Sequence, residues 1–309
     1  MKRELRSGWV FAWLVTLSAL ALTGCQNPAA GGTGLRVATS TIAAPAVQGW
    51  VAELSKPPNP TGISLRATGS TTALSELIQG TADVVVASRR MSANELLSAR
   101  AAGRKVEEFL LGFAIYQVLV HPQNPVASLT LEQVGDIFSR DVKDWSEVGG
   151  PKLPIQCVYR RTFPGHFDLF FEKEVSLKYG AFWARPDSGV TVADDTAAIA
   201  AAIGANPGSI GYLLATDPAP AAKALAIQSP LSKSPEAPSV EAALAGRYPM
   251  LRPLYMYLDA GSARGVRYFQ EFALGDRGRK VTSDAGFAPV PPPPGGKPEL
   301  DPLDRIPAW

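Results

Sequence analysis

Asp83-Val84-Val85-Val86-Ala87-Ser88-Arg89-Arg90-Met91-Ser92, with Glu95 and Leu96 just beyond, is the stretch from which the fold is read. Its unbroken Val-rich run lacks the polar alternation of a strand with one wet face, so it predicts a strand buried between layers. A hydroxyl and two guanidinium groups follow at once, and a helical pattern opens near Ser92 and runs to Ala101. The unit is strand, polar turn, helix.

Similar units lie on both sides. Leu35-Arg36-Val37-Ala38 predicts a strand, and Ala46, Val47, Trp50, Val51 and Leu54 recur after it at helical spacing. Residues 62–67 predict the next strand and residues 71–79 the next helix. Residues 112–120 form a long apolar run ending at His121-Pro122. A second set begins at Thr130, the expected N-cap of a helix striped by Leu131, Val134, Ile137 and Phe138. Strands follow at 155–159, 208–214 and 252–258. Helices are expected along Phe167, Phe170, Phe171 and Val175, over 194–203, and along Val266, Phe269 and Phe272. Such alternation places the chain in the α/β class, with helices on the faces of a sheet. Residues 291–309 are rich in Pro and predict an irregular tail.

Four strand-to-helix turns carry hydroxyls, Gly or Arg: Thr39-Ser40-Thr41, Gly69-Ser70-Thr71-Thr72, Ser88-Arg89-Arg90, and Arg160-Arg161-Thr162-Phe163-Pro164-Gly165-His166. A helix start presents unsatisfied N–H groups and a partial positive charge, so several that converge make an anion site. Hydroxyls add neutral donors and an arginine adds a charged bidentate one. Any single Ser or Thr at such a place is an ordinary cap. The inference rests on four such turns in one α/β chain, because ligands of open α/β sheets bind beyond the carboxyl ends of the strands.

The amino end reads as a targeting signal. Lys2, Arg3 and Arg6 precede an apolar run from Trp9 to Leu22, shorter than the roughly 20 residues that span a bilayer. It ends in Leu22-Thr23-Gly24-Cys25, which looks like a bacterial lipobox, so residues 1–24 are expected to be a lipoprotein signal peptide and Cys25 the lipidated residue. Residues 25–34 then form a tether rich in Pro, Gly and Ala. Without residues 1–24 the chain keeps 285 of its 309 residues and has 27 basic against 27 acidic side chains. No basic excess supports nucleic-acid binding. With Cys25 lipidated, Cys157 stands alone in the strand-like Ile155-Gln156-Cys157-Val158-Tyr159 and is expected to be a buried structural thiol.

The run 83–92 with Glu95-Leu96 resembles the phosphate-binding proteins of ABC importers. So do Val120-His121-Pro122-Gln123-Asn124-Pro125-Val126, Leu129-Thr130-Leu131-Glu132-Gln133 through Asp136-Ile137-Phe138, and Asp144-Trp145-Ser146-Glu147-Val148-Gly149-Gly150. Gly208-Ser209-Ile210-Gly211-Tyr212-Leu213, Arg252-Pro253-Leu254-Tyr255-Met256-Tyr257 and Gly286-Phe287-Ala288-Pro289-Val290 continue the match in order, over about residues 35–290. The resemblance implies a two-lobed, type II periplasmic-binding fold with two crossovers and a cleft. One lobe is residues 35–114 plus 249–290, the other 115–248. It implies an extracytoplasmic lipoprotein, held to a bacterial membrane through Cys25, that captures an oxyanion, inorganic phosphate first, for the permease subunits of an ABC importer. Its donors are Thr39, Ser40, Thr41, Ser70, Thr71, Ser88 or Arg89, and Arg160.

The last turn departs from the family. Where most members read Arg, two residues, then Gly-Ser-Gly-Thr, Arg160 and Gly165 are retained, but Pro164 and His166 hold the Ser and Thr positions. His166 can donate through its ring, more so when protonated. Thr162 stands where some members carry an Asp that accepts the proton of hydrogen phosphate, which leaves phosphate less advantage over sulfate. An alternative keeps the fold and drops transport: an anion sensor or surface component. An enzyme is not expected, because HExxH, CxxC and Walker-type runs are absent and Gly165-His166-Phe167-Asp168 cannot bring its His and Asp to one metal on a helix. Neither a cofactor nor a metal is expected.

Overall fold

The computed structural model describes residues 34–56, 62–160, 189–261 and 264–292. In chain order the elements are β1 (Leu35–Thr39), α1 (Ala44–Leu54), β2 (Ile63–Ala67), α2 (Ser70–Gln79), β3 (Val84–Ala87), α3 (Ala93–Ala101) and β4 (Val106–Val120). Then come β5 (Ser128–Thr130), α4 (Leu131–Phe138), a 3-10 turn (Trp145–Val148), β6 (Gln156–Arg160), β7 (Val190–Ala193), α5 (Thr196–Ala205) and β8 (Ser209–Leu214). The chain continues through β9 (Lys223–Ala224), β10 (Ala226–Gln228), α6 (Val240–Leu244), β11 (Leu251–Asp259), α7 (Arg264–Leu274), α8 (Asp276–Asp284) and β12 (Ala288–Pro289).

The main sheet runs β2-β1-β3-β11-β4-β8-β6-β7. The Val-rich run of β3 is buried along its whole length, as its lack of alternation requires. Val84 and Val86 join one apolar layer with Trp50 of α1 and Phe269 of α7, whose rings meet edge to face at 6.0 Å. Val85 and Ala87 point the other way, towards Leu74 and Leu77 of α2 and Ala99 of α3. Beyond β4 the same logic repeats. Cys157 and Tyr159 of β6 pack with Phe138 and Trp145, while Val158 packs with Ile199 and Ile203 of α5. Cys157 is fully buried and its thiol donates to the Ile137 carbonyl at 3.4 Å. The fold is two-lobed α/β, each lobe a sheet between helical layers.

Strand β4 joins the lobes and is longer than its sequence pattern predicted. It starts at Val106, six residues before the expected apolar run, because Glu107 and Glu108 break the hydrophobic signal. Arg267 grips Glu107, and Tyr257 donates to Glu108 at 2.7 Å, so both carboxylates are held within the strand. From Val106 to Ile115 β4 pairs with β11, with a bulge at Leu254/Tyr255. From Tyr116 to Val120 it pairs with β8. β12 closes on the same place: a Cβ on Gly112 would meet the Ala288 carbonyl oxygen at 2.3 Å, so only glycine admits it. The structure also adds α6, α8, β5, β7, β9, β10 and β12, which no apolar stripe marked in advance.

Candidate functional site

The ladder registers bring two sets of strand ends towards one place. β1 pairs in parallel with β2 and with β3, Thr39 standing level with Ala67 and Val86. The turns after all three strands therefore leave one edge of the first lobe. That edge stands level with Leu110 of β4, since Ala87 pairs with Tyr255 and Tyr255 with Leu110. On the second lobe, Val158 of β6 pairs with Gly211, and Gly211 with Leu119 of β4. β6 is parallel to β8 and so antiparallel to β4, which places Arg160 level with Gln117. The carboxyl ends of β1, β2 and β3 thus face that of β6 along some seven residues of β4, roughly 20 Å of strand. This is a switch point of strand order, where open α/β sheets bind ligands.

The first-lobe turns are built for donation. Gly69, at φ +90°, opens α2 and a Cβ there would meet nothing within 4 Å. Neither α1 nor α2 has a side-chain cap, so their first N–H groups keep the donor capacity that caps normally absorb. α3, α4, α5 and α6 are each capped by their own side chain: Ser92, Thr130, Asp195 and Ser239. The Ser70 hydroxyl oxygen accepts the Ser88 N–H at 3.0 Å and lies 3.2 Å from the Ser88 hydroxyl. The Thr71 hydroxyl oxygen accepts from Arg89 at 3.1 Å. A hydroxyl has one proton and two lone pairs, so Thr71 retains a proton to direct outwards, and the Ser70–Ser88 pair, which uses one proton between its two oxygens, retains one more. Ser40 is buried and its oxygen accepts the Ala43 N–H at 3.2 Å, while Thr41 is exposed beside it.

Two expected donors are engaged otherwise. The fully buried Thr39 hydroxyl donates to the Val86 carbonyl at 3.1 Å, which fixes β1 to β3. Arg89 is clamped by Glu95: its two Nη atoms reach the two carboxylate oxygens at 2.8 Å each. The Arg89 hydrogen bond holds the Glu95 carboxyl at a pKa of about 2, helped by the Ser92 N–H and opposed by burial. Arg89 thus stands as a strut of the turn, with its charge answered by Glu95, a pairing that only the six-residue spacing hints at in the sequence. Arg90 is likewise held, 3.1 Å from Glu108 and stacked over the Tyr255 ring at 5.2 Å. Across the cleft, half-buried Arg160 donates to the Thr196 hydroxyl at the start of α5.

Gly165 and His166 lie outside the described residues, as do the helix expected along Phe167 to Val175, Cys25 with residues 1–33, and the tail from residue 293. A residue that sequence reasoning passed over stands at the centre instead. Arg252 of β11 donates from Nε to the Ser88 carbonyl at 2.9 Å and from Nη1 to the Tyr116 hydroxyl at 3.3 Å. The available signal was a charge two residues ahead of the buried apolar run 254–258.

The family model of the PBP superfamily domain matches residues 26–277. The chain belongs to the PBP superfamily. Among its relatives, the phosphate-binding protein PstS of Pseudomonas aeruginosa is 27% identical over 259 residues, covering 78% of each chain. Protein SphX of Synechococcus elongatus is 28% identical over 241 residues, 74% of this chain and 69% of its own. A putative phosphate ABC transporter substrate-binding protein from Clostridium perfringens, solved with bound phosphate, superposes with a TM-score of 0.66 at 22% identity, over 84% of this chain and all of its own. That likeness establishes the two-lobed PBP fold. Among the described residues no cluster of His, Cys, Asp and Glu could hold a metal, and no helix is long and apolar enough to cross a membrane.

Proposed function

We propose that the chain is the extracytoplasmic binding protein of an ABC importer and that it captures a tetrahedral oxyanion, inorganic phosphate first. The observation that carries this is the grouping of uncapped helix starts with hydroxyls: α1 and α2, at the edge facing Arg160, lack side-chain caps and stand beside Ser40, Thr41, Ser70 and Thr71, whereas α3 to α6 carry caps and α8, uncapped at Gly275, has no such hydroxyl turn. Uncapped N–H groups, hydroxyls with protons to spare and an arginine across the cleft together match an oxyanion in charge and in donor number. The names of the PstS relatives favour phosphate. In this reading Ser40, Thr41, Ser70, Thr71 and Ser88 bind from the first lobe. Arg160, Gly165 and His166 bind from the second. Thr39 and Arg89 hold the turns in place.

The exchange of partners along β4 supports lobes of residues 35–114 plus 249–290 and 115–248, which bend at that crossover and close on the anion; hinge closure is a recognised mode of periplasmic binding proteins. The protein binds its anion and does not turn it over. The lipobox-like Leu22 to Cys25 supports a lipid anchor on the outer face of a bacterial membrane. Calorimetric titration with phosphate, sulfate, molybdate, arsenate and vanadate tests the binding. Saturable phosphate binding with a smaller radius of gyration is expected. Uptake of none of the five removes the importer reading in favour of a surface component. Labelled palmitate incorporation that survives Cys25→Ser removes the anchor.

A further inference from the structure

β11 carries a charge into the floor of the cleft. The strand is buried and mostly apolar from Leu254 to Leu258, yet Arg252 lies two residues ahead, opposite Ala114 of β4. One register further on, at Ile115, β4 ends its pairing with β11, and at Tyr116 it begins pairing with β8. The two contacts of Arg252 fall on opposite sides of that exchange. Ser88 ends β3 on the first lobe. Tyr116 is 4% exposed and packs edge to face on Tyr212 of β8, ring centres 6.1 Å apart, within the core of the second lobe.

The acceptor on the first lobe is the carbonyl of the Ser88–Arg89 peptide. A trans peptide is planar, so anchoring its oxygen also fixes the direction of the Arg89 N–H. The N–H and hydroxyl of Ser88 are already tied to Ser70 of α2. Arg252 therefore anchors the carbonyl of the turn against a reference point on the other lobe. A guanidinium can do this because its donors diverge in a rigid plane, whereas a lysine offers a single flexible point charge.

We propose that Arg252 is a positioning residue of the anion site, coupling the Ser88 turn to Tyr116 so that the convergence of the first-lobe donors depends on the angle between lobes. This rests on the oxyanion-binding reading above. Its test is a cycle of Arg252→Lys, Tyr116→Phe and the double variant in the full chain, titrated with inorganic phosphate and unfolded thermally without it. Coupling predicts about tenfold weaker binding for Arg252→Lys, about threefold for Tyr116→Phe, and about tenfold for the pair. It also predicts melting temperatures within a few degrees of wild type and a smaller phosphate-induced compaction in Arg252→Lys. A merely structural arginine gives losses that multiply to about thirtyfold and follow the melting temperature. That outcome, or phosphate binding by Arg252→Lys within about twofold of wild type, overturns the proposal. Should Arg252→Lys not fold, Tyr116→Phe decides alone, and wild-type affinity and compaction in it overturn the coupling. A wild type that takes up no phosphate overturns the binding reading and this role together. A wild type that binds beside an equally good Arg252→Lys variant overturns the role alone.

Discussion

Helices α2 and α3 follow neighbouring units of the same lobe and pack into the same apolar layer, yet their starts are opposite in kind. α3 is closed. The Ser92 oxygen accepts the Glu95 N–H, Glu95 accepts the Ser92 N–H at 2.8 Å, and the same carboxylate takes the fork of Arg89. α2 is open, with Gly69 at its N-cap and no capping side chain. Both helices have the same dipole per turn, so the dipole does not distinguish them. What distinguishes them is whether the donors already have an acceptor within the chain. α5 makes the point a third time: it starts beside Arg160, but Asp195 accepts from its Ala198 N–H at 2.8 Å.

The contrast breaks most directly if α2 is closed as α3 is. Gly69→Asp puts a carboxylate where the anion is to sit, and like charges set together cost several kcal/mol, about 1,000-fold or more in phosphate affinity. Gly69 has a positive φ, so Gly69→Asn controls for backbone strain at equal size without the charge. Calorimetry should show Asn much closer to wild type than Asp. Equal losses would mean that filling the helix start, by a cap or by bulk that both side chains share, and not the added charge, governs the site.

Next in size is the far side of the cleft. Arg160→Ala removes a charged, bidentate-capable donor, and the expected loss is on the order of 2–4 kcal/mol, about 30- to 1,000-fold in affinity. Ser70→Ala should cost about 0.5–1.5 kcal/mol, since a neutral hydroxyl among several donors is partly replaceable. The Ser88 N–H it satisfies is left without that acceptor, so a modest fall in thermal stability should accompany the loss of binding. If Ser70→Ala weakens phosphate more than Arg160→Ala does, the charge across the cleft is not the principal contact.

How much of this was legible follows from range. The β3 run, the α1 and α2 stripes and the α4 cap at Thr130 are local signals, and each element lies within a few residues of its expected place. The start of β4 was hidden because Glu107 is neutralised by Arg267, 160 residues away, and Glu108 by Arg90, with a further hydrogen bond from Tyr257. The hydroxyl turns at 39–41 and 70–71 could be read as helix starts, and Ser88 as a turn donor. Arg89 could not be sorted from a ligand because its partner Glu95 is set by the fold of the turn. Arg252 reads as the start of a strand and as part of a family-like stretch but not as a site residue, since Ser88 and Tyr116 lie 164 and 136 residues from it. Composition carries no trace of contacts at that distance.

The smallest expected effect concerns the closed helix. Ser92→Ala deletes one arm of the capping box and should cost about 1 kcal/mol of stability at neutral pH. Phosphate affinity should stay within about twofold of wild type, because the Ser92–Glu95 cap is not among the proposed anion contacts. The pH dependence carries a definite sign. The folded-state pKa of Glu95 is depressed from 4.5 to about 2, so its contribution is complete above pH 4.5 and is lost as pH falls towards 2. Denaturant titrations between pH 6 and 2.5 should therefore show wild type losing stability relative to Glu95→Gln only below about pH 4.5. From pH 5 to 8 Glu95 remains ionised and Arg89 stays clamped, so this pair adds no pH dependence to sulfate binding. A parallel decline of both proteins below pH 4.5 would place the Arg89–Glu95 contact among exposed pairs of little energetic consequence. Arg89 would then be free to turn towards the anion, and the line drawn between α2 and α3 would have to move to include it.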